Sequence, residues 1–188
     1  MPSPLGHSLS GALLYTLLEK PPHPFWQLRK AVPYLIFAAI PDIDFLVVRG
    51  GKIVITEEYH HTYSHSLGFG FLVAGVTYGV LWLFREKDRL RQSLLTLVLV
   101  ALHCFLDMTN HTGHLFMPQG LPLLWPFSQR TFTCSWVILP GVVFGKSPLD
   151  PVNLIGVSAE ILLFGVLIGI VVFTKKGATA KRWRWISS

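Results

Sequence analysis

Histidine and aspartate recur in this chain in four short groups. They are His7 near the start, Pro41-Asp42-Ile43-Asp44, the segment His60-His61-Thr62-Tyr63-Ser64-His65-Ser66-Leu67, and His103-x3-Asp107. Neutral imidazole and carboxylate are ligands of zinc and similar divalent ions. His103 and Asp107 are four apart, so on a helix they project from one face. The same pair also serves as a hydrogen-bonded tie between helices, and taken alone the two readings stand level. His60 and His65 are five apart and do not align on one helix. That spacing places His60 in an approaching loop and His65 in the first turn of the next helix, with Thr62 or Ser64 as N-cap. His61 then points elsewhere, as an interfacial polar residue. Pro41 ends a helix, and Asp42 and Asp44 fall in a turn, where aspartates are common for reasons unrelated to chemistry. Ser3-Pro4 reads as an N-cap followed by a first-position proline, which puts His7 in the first helical turn.

The elements that must position these groups are membrane elements. Of 188 residues, 51% are hydrophobic and only 14% charged, and mean hydropathy is +0.49. A soluble domain carries about 25% charged residues. The net charge of +6 invites a nucleic-acid reading. The basic residues, however, lie in short clusters between apolar runs, which is what membrane topology produces, so direct contact with nucleic acid is not expected. Cys104 lies in an apolar run and reads as a buried free thiol; with Cys134 it forms no paired framework. The N-terminus has no basic region and no small-residue cleavage site, so it does not read as a signal peptide.

Three apolar runs are clear: Leu67–Phe84, Ser93–Leu106 continued to Thr109, and Leu154–Phe173. The first and third are long enough to cross a core of about 30 Å at about 1.5 Å per residue. Two more are weaker. Ser8–Leu18 is short, and Ala31–Val48 is interrupted by Pro33 and Pro41. The expected fold is therefore all-α: a polytopic bundle of about four to five membrane-embedded helices, with an irregular or re-entrant stretch within Asn110–Asn153 before the last one. We read residues 1–188 as one integral-membrane domain, with a helical core at about 1–130, a last span at about 154–173 and a basic tail at 174–188. No internal repeat is evident.

Basic residues set the direction. Lys20, Arg29 and Lys30, then Arg85, Lys87, Arg89 and Arg91, then Lys175, Lys176, Lys181, Arg182 and Arg184 fall on one side if the segments alternate. Those are twelve of sixteen, leaving Arg49, Lys52, Arg130 and Lys146 opposite. The richer side is cytoplasmic by this rule, as is the C-terminus. His7, Asp42, Asp44, His60, His65, His103 and Asp107 then all lie at the outer face.

Four segments thus deliver ligands to one side, and the combination says more than any member. The expected site holds one or two divalent ions, zinc by ligand type, through His7, Asp42 or Asp44, His60, His65, His103 and Asp107. Such an ion lowers the pKa of a bound water toward about 7 and polarises a phosphoryl or acyl oxygen. Asp107 is read as a bridge if there are two ions, and Asp44 as the spare carboxylate that accepts the water proton. Thr109, Asn110, His111 and His114 are candidates to support the site or add a ligand. Glu160, inside the last run, has an open role. The first reading is a membrane-bound metal-dependent hydrolase acting on a lipid or lipid-linked phosphoester. The alternative is a non-catalytic binding or regulatory membrane protein with a structural metal. A transporter relay through Glu160, His103 and Asp107 is disfavoured by the lack of paired repeats.

The pattern resembles the YdjM-type family of inner-membrane proteins regarded as metal-dependent hydrolases. The resemblance rests on Gly6-His7-Ser8, Pro41-Asp42-Ile43-Asp44, His60-x4-His65-Ser66-Leu67, His103-x3-Asp107 with Thr109, and Trp125-Pro126-Phe127. It covers most of the first 130 residues, and order and spacing make it specific. His61 departs from it, since the family commonly has arginine there. The ordered His, Asp, His, His-x3-Asp series is more distantly similar to the all-helical zinc-dependent phospholipase C and zinc nuclease group, which implies a phosphoester substrate. The resemblance also implies a bacterial-type inner membrane. The family is described as associating with the SOS repressor, but no surface for it is displayed by this sequence.

Overall fold

The computed structural model describes residues 1–19, 28–49, 52–55, 60–109 and 120–186. Among the described residues five α-helices carry the fold: α1 (Pro4–Leu18), α2 (Leu28–Ala39), α3 (Leu67–Leu83), α4 (Arg89–Met108) and α5 (Pro151–Ile186). A 3₁₀ turn, Ile40–Phe45, follows α2 directly. It leads into a two-stranded antiparallel hairpin, β1 (Leu46–Arg49) with β2 (Lys52–Ile55), which pairs Leu46 with Ile55 and Arg49 with Lys52. The hairpin is a small departure from the expected all-α chain. Val47, Val48, Ile53 and Val54 are β-branched, which suits extended backbone.

The weak second segment is corrected most. Ala31–Val48 is not one interrupted span. Pro33 sits inside α2 without ending it, because near a helix start a missing N–H removes only one bond. The break comes at Ala39, since Pro41 disfavours helical backbone at Ile40. At the C-terminus, the span and tail read as separate form one helix continuing to Ile186.

Among the described residues, α4 and α5 are long and apolar enough to cross a membrane, and α3 is an apolar helix of 17 residues. In α5 only 17% of the apolar stretch is buried, against 44% in α4. A soluble protein would hide such a helix; here Leu162, Ile170 and Phe173 of α5, like Phe71, Leu72 and Leu83 of α3, face outward. An apolar exterior this extensive needs a lipid solvent.

Helix α3 packs on α4, α2 on α4, and α1 lies between α2 and α5. Tyr15, Ala31, Tyr34, Ala38 and Leu99 fill the space between α1, α2 and α4. Gly11 allows the α1–α2 approach: a Cβ there would strike the Tyr34 carbonyl. Helices α1 and α5 run parallel, with Ser3 bound to Glu160 at one end and Lys175 donating to the Thr16, Leu17 and Glu19 carbonyls at the other. The stretch before α5 laces across the opposite end of the bundle from Lys175. Leu67 N–H donates to the Leu123 carbonyl at 2.9 Å, and Ile138 N–H to the Thr109 carbonyl at 2.7 Å.

Candidate metal centre

All four ligand-bearing segments end at that laced end of the bundle. Ser3 caps α1, its hydroxyl accepting from Gly6 N–H at 3.1 Å, so His7 lies in the first turn as its sequence context predicts. His103 and Asp107 sit on the inward face near the end of α4, both buried. His65 precedes α3. Its cap is Ser66, whose hydroxyl accepts from Phe69 N–H at 3.0 Å, rather than Thr62 or Ser64. His65 is therefore just outside the helix, where its ring is free to turn inward.

Hydrogen bonds fix which nitrogen of each ring faces the centre. His103 Nδ1 lies 2.7 Å from the Ala38 carbonyl, which can only accept, so in the neutral ring Nδ1 carries the proton and Nε2 the lone pair. His65 Nδ1 lies 3.0 Å from Asp44 Oδ2, with the same consequence. Asp44 also takes His60 Nδ1 at 2.9 Å and the Ser64 hydroxyl at 2.6 Å. Carboxylates and carbonyls that hold the outer nitrogen in this way orient metal-ligating imidazoles in general.

The inner atoms then form a close triangle. His65 Nε2 and His103 Nε2 are 3.1 Å apart, and Asp107 Oδ2 lies 3.0 Å from the His103 nitrogen and 3.4 Å from that of His65. Ligands at about 2.0–2.1 Å from a tetrahedral zinc are about 3.3 Å from each other. Asp42 Oδ1 stands 3.5 Å from His103 Nε2 and 3.7 Å from His65 Nε2. His7 Nε2 is 3.4 Å from the other Asp107 oxygen, Oδ1, and His61 Nε2 is 3.8 Å from Oδ2. Both ring nitrogens of His7 and His61 and both oxygens of Asp42 and Asp107 are buried without a hydrogen-bond partner. Eight such atoms in one place would be costly in a finished core. As a donor set for a cation they fit. Three overlapping groups are close enough to hold an ion: His7, His103 and Asp107; Asp42, His65 and His103; His60, His61 and His65.

Electrostatics in the loop agree. Burial alone would raise the Asp42 and Asp44 carboxyls, but the His103 and His65 rings at 3.5 and 3.7 Å from Asp42, and hydrogen bonds from His60 and His65 to Asp44, hold both well below the usual carboxylate range. Burial pushes His60 down to about 4 against the pull of Asp44, and lowers His61. Burial would lower His65 as well, yet the carboxylates of Asp107, Asp42 and Asp44 around its ring raise it well above its ordinary value. The centre therefore attracts positive charge onto His65, whether a proton or a metal ion.

The structure thus gathers His7, Asp42, His60, His65, His103 and Asp107. Asp44 touches the centre only through the rings it orients, so its oxygens are engaged where the sequence suggested a ligand or a base. His60 Nε2 lies 2.6 Å from the Met1 sulfur. His61 corrects the sequence reading: it does not point elsewhere. Its φ of +62° puts it in the left-handed region, which histidine enters more readily than most residues, and its ring turns into the cluster. Helical spacing has no bearing on such a turn, so no periodicity signal could have found it. Glu160 gains a place as well: it accepts from Ser3 N–H at 2.6 Å and from the Ser3 hydroxyl, tying α5 to the turn that carries His7. Thr109 is buried and ends α4, its hydroxyl donating to the Leu106 carbonyl at 3.1 Å. Asn110, His111 and His114 lie outside the described residues.

No solved structure matches the chain significantly. Over 115 residues it is 30% identical to the inner membrane protein YbcI of Escherichia coli strain K12, a stretch covering 60% of this chain and 62% of that protein. A family model described as the YdjM inner membrane protein matches residues 1–183. With nearly the whole chain matched, and an exterior built for lipid, this protein belongs to the YdjM inner membrane protein family.

Proposed function

We propose that the chain is a membrane-bound, metal-dependent phosphoester hydrolase. The observation that carries the reading is the triangle of His65 Nε2, His103 Nε2 and Asp107 Oδ2, with edges of 3.0, 3.1 and 3.4 Å. Three protein ligands with a further position open is the arrangement of catalytic zinc sites, as opposed to the closed four-ligand set of structural ones. A divalent ion there, zinc by ligand chemistry, supplies an acidified water and a Lewis acid for a phosphoryl oxygen. His7 faces the second oxygen of Asp107, so these two residues would help to hold a second ion if one binds.

The residues divide the remaining work. His103 and His65 present lone pairs because Ala38 and Asp44 hold their other nitrogens. Asp42, with both oxygens unpartnered beside the triangle, takes the role that the sequence suggested for Asp44. It accepts the proton of the attacking water as the new P–O bond forms. The ester P–O bond breaks, and that proton passes to the leaving alkoxide, so charge and atoms balance. In this reading all five helices are membrane-embedded, the centre faces outward and the C-terminus is cytoplasmic. Membrane lipids are its surroundings and the source of its substrate, and nucleic acid is not a partner.

One observation favours a second reading, a binding or regulatory protein with a structural metal: His7, His65 and His103 are each 0% exposed. Elemental analysis of purified protein followed by phosphodiesterase assay separates the two. The hydrolase reading expects stoichiometric metal and turnover. His103→Ala and Asp107→Ala are expected to lose the metal while still inserting; unchanged metal content would sink both readings. Tight metal without turnover would leave the structural one.

A further inference from the structure

A groove of about 440 Å³ opens on the flank of the bundle and reaches the candidate centre. Ile36 and Ala39 of α2, Ile40 and Ile43 of the 3₁₀ turn and Ser8 of α1 line it, and so does Asp42. Asp42 is its one charged residue. Ile36 and Ile43 are more than half exposed, at 56% and 54%. A site that draws a soluble phosphate ester from water is usually rimmed with cations that steer it. This rim is aliphatic. It suits a ligand that arrives from the lipid side with its hydrocarbon part leading.

Asp42 gives this groove one place of opposite character. The Asp42 side chain is 10% exposed, and its Oδ1 lies 3.5 Å from His103 Nε2. One lining residue therefore belongs both to an alkyl-compatible slot and to the ligand cluster. An aliphatic lining with one carboxylate matches the chemistry of an amphiphile.

We infer that the substrate is an alkyl-chain phosphoester of the membrane, which enters sideways between α1 and the α2–3₁₀ segment. Its chain lies along Ile36, Ile40 and Ile43, and its phosphoester rests at the Asp42 end. This rests on the hydrolase reading, because an anionic head comes to rest beside Asp42 only where a cation is held. The groove selects for the chain; the ligand cluster selects for the head.

The test uses the full-length protein in phosphatidylcholine vesicles, loaded with zinc, and a dodecyl phosphate carrying a diazirine at its chain end. After photolysis, adducts are expected within residues 35–43, and unlabelled dodecyl phosphate should compete for them where inorganic phosphate does not. Filling the groove with Ile36→Trp and Ile43→Trp together is expected to cut the adduct yield tenfold or more with zinc content unchanged. Adducts spread evenly over the outer faces of α3 and α5, or untouched by the two tryptophans, would overturn the inference. The wild-type map decides this even if the double variant fails to fold. Turnover is read separately on dodecyl and short-chain phosphodiesters. Adducts in the groove with no turnover of either ester would sink the hydrolase reading and leave the groove as a lipid site. Turnover with scattered adducts would sink the groove alone.

Discussion

His65 and Asp44 meet Nδ1 to Oδ2 at 3.0 Å, and this bond turns the remaining nitrogen of His65 toward Asp107 and His103. Through its other oxygen the same carboxylate holds His60. Asp44 aims rings and contributes no inner atom to the triangle. Asp44→Ala is expected to weaken metal binding by about 10- to 100-fold, the usual cost of losing such an orienting partner. Asp44→Asn should lose less, since its amide oxygen still accepts from one ring. Competition with a chelator of known affinity measures both, and wild-type affinity in Asp44→Ala would remove Asp44 from the site.

Glu160 makes a parallel case for the first helix. Its carboxylate accepts from both the backbone and the side chain of Ser3, and Ser3 in turn caps α1 through Gly6. In Glu160→Ala those Ser3 donors stay buried without an acceptor, which costs about 1–3 kcal/mol for each group. The melting temperature in detergent should fall, and metal affinity with it, because His7 rides on that turn. Glu160→Gln keeps an acceptor and should recover much of both. Gly6→Ala tests the same contact from the other side: a Cβ there would meet the Glu160 carboxyl at 2.6 Å, so it should destabilise by about 1–3 kcal/mol. A fall in melting temperature with metal affinity intact would confine Glu160 to a structural tie.

What could be read from the sequence followed the physics of each signal. Helical periodicity and the capping residues Ser3 and Pro4 placed His7, and the four-residue spacing put His103 and Asp107 on one face. Apolar length found α3, α4 and α5. Periodicity failed where the backbone leaves the helix. The left-handed turn at His61, the exact cap of α3 and the choice between Asp42 and Asp44 depend on contacts between segments far apart in sequence. Proline misled at Pro33 and informed at Pro41, because its effect depends on how far into a helix it falls. Glu160 was visible as an isolated charge in an apolar run, but its partner Ser3 is 157 positions away.

Proton and metal compete for His65, and the sign can be worked out. Its folded pKa is raised well above the ordinary value. In metal-free protein it therefore contributes stability below about pH 6.5 that is lost as pH rises through the folded value. Metal uptake must expel that proton, so the apparent affinity should rise with pH, about tenfold per unit for one proton released. His60, held at about 4, is already neutral and adds nothing to this slope. Thermal melts at pH 6 and 9 with and without zinc check both halves. Zinc should raise the melting temperature more at pH 9, and a metal-free protein more stable at pH 9 than at pH 6 would contradict the assignment.

Topology links the charge pattern to the face proposed for the centre. Lys175 donates to the Thr16 carbonyl at 2.5 Å, which puts the C-terminal end of α1 beside the basic end of α5, while His7 and Glu160 mark the opposite end. By the sequence reading twelve of the sixteen basic residues fall on the Lys175 side, and in the proposed topology the positive-inside bias makes that side cytoplasmic. A reporter fused after Ser188 is expected to be active only as a cytoplasmic fusion. A cysteine placed at Trp136, 73% exposed on the stretch that laces over the centre, should react with a membrane-impermeant maleimide added outside intact cells. The two measurements are independent, since one reads the tail and the other the face of the site. A periplasmic score at Ser188, with Trp136→Cys labelled only after lysis, would invert the map and move the centre to the cytoplasmic face. Protection of Trp136→Cys with a cytoplasmic tail would instead place that stretch within the bilayer.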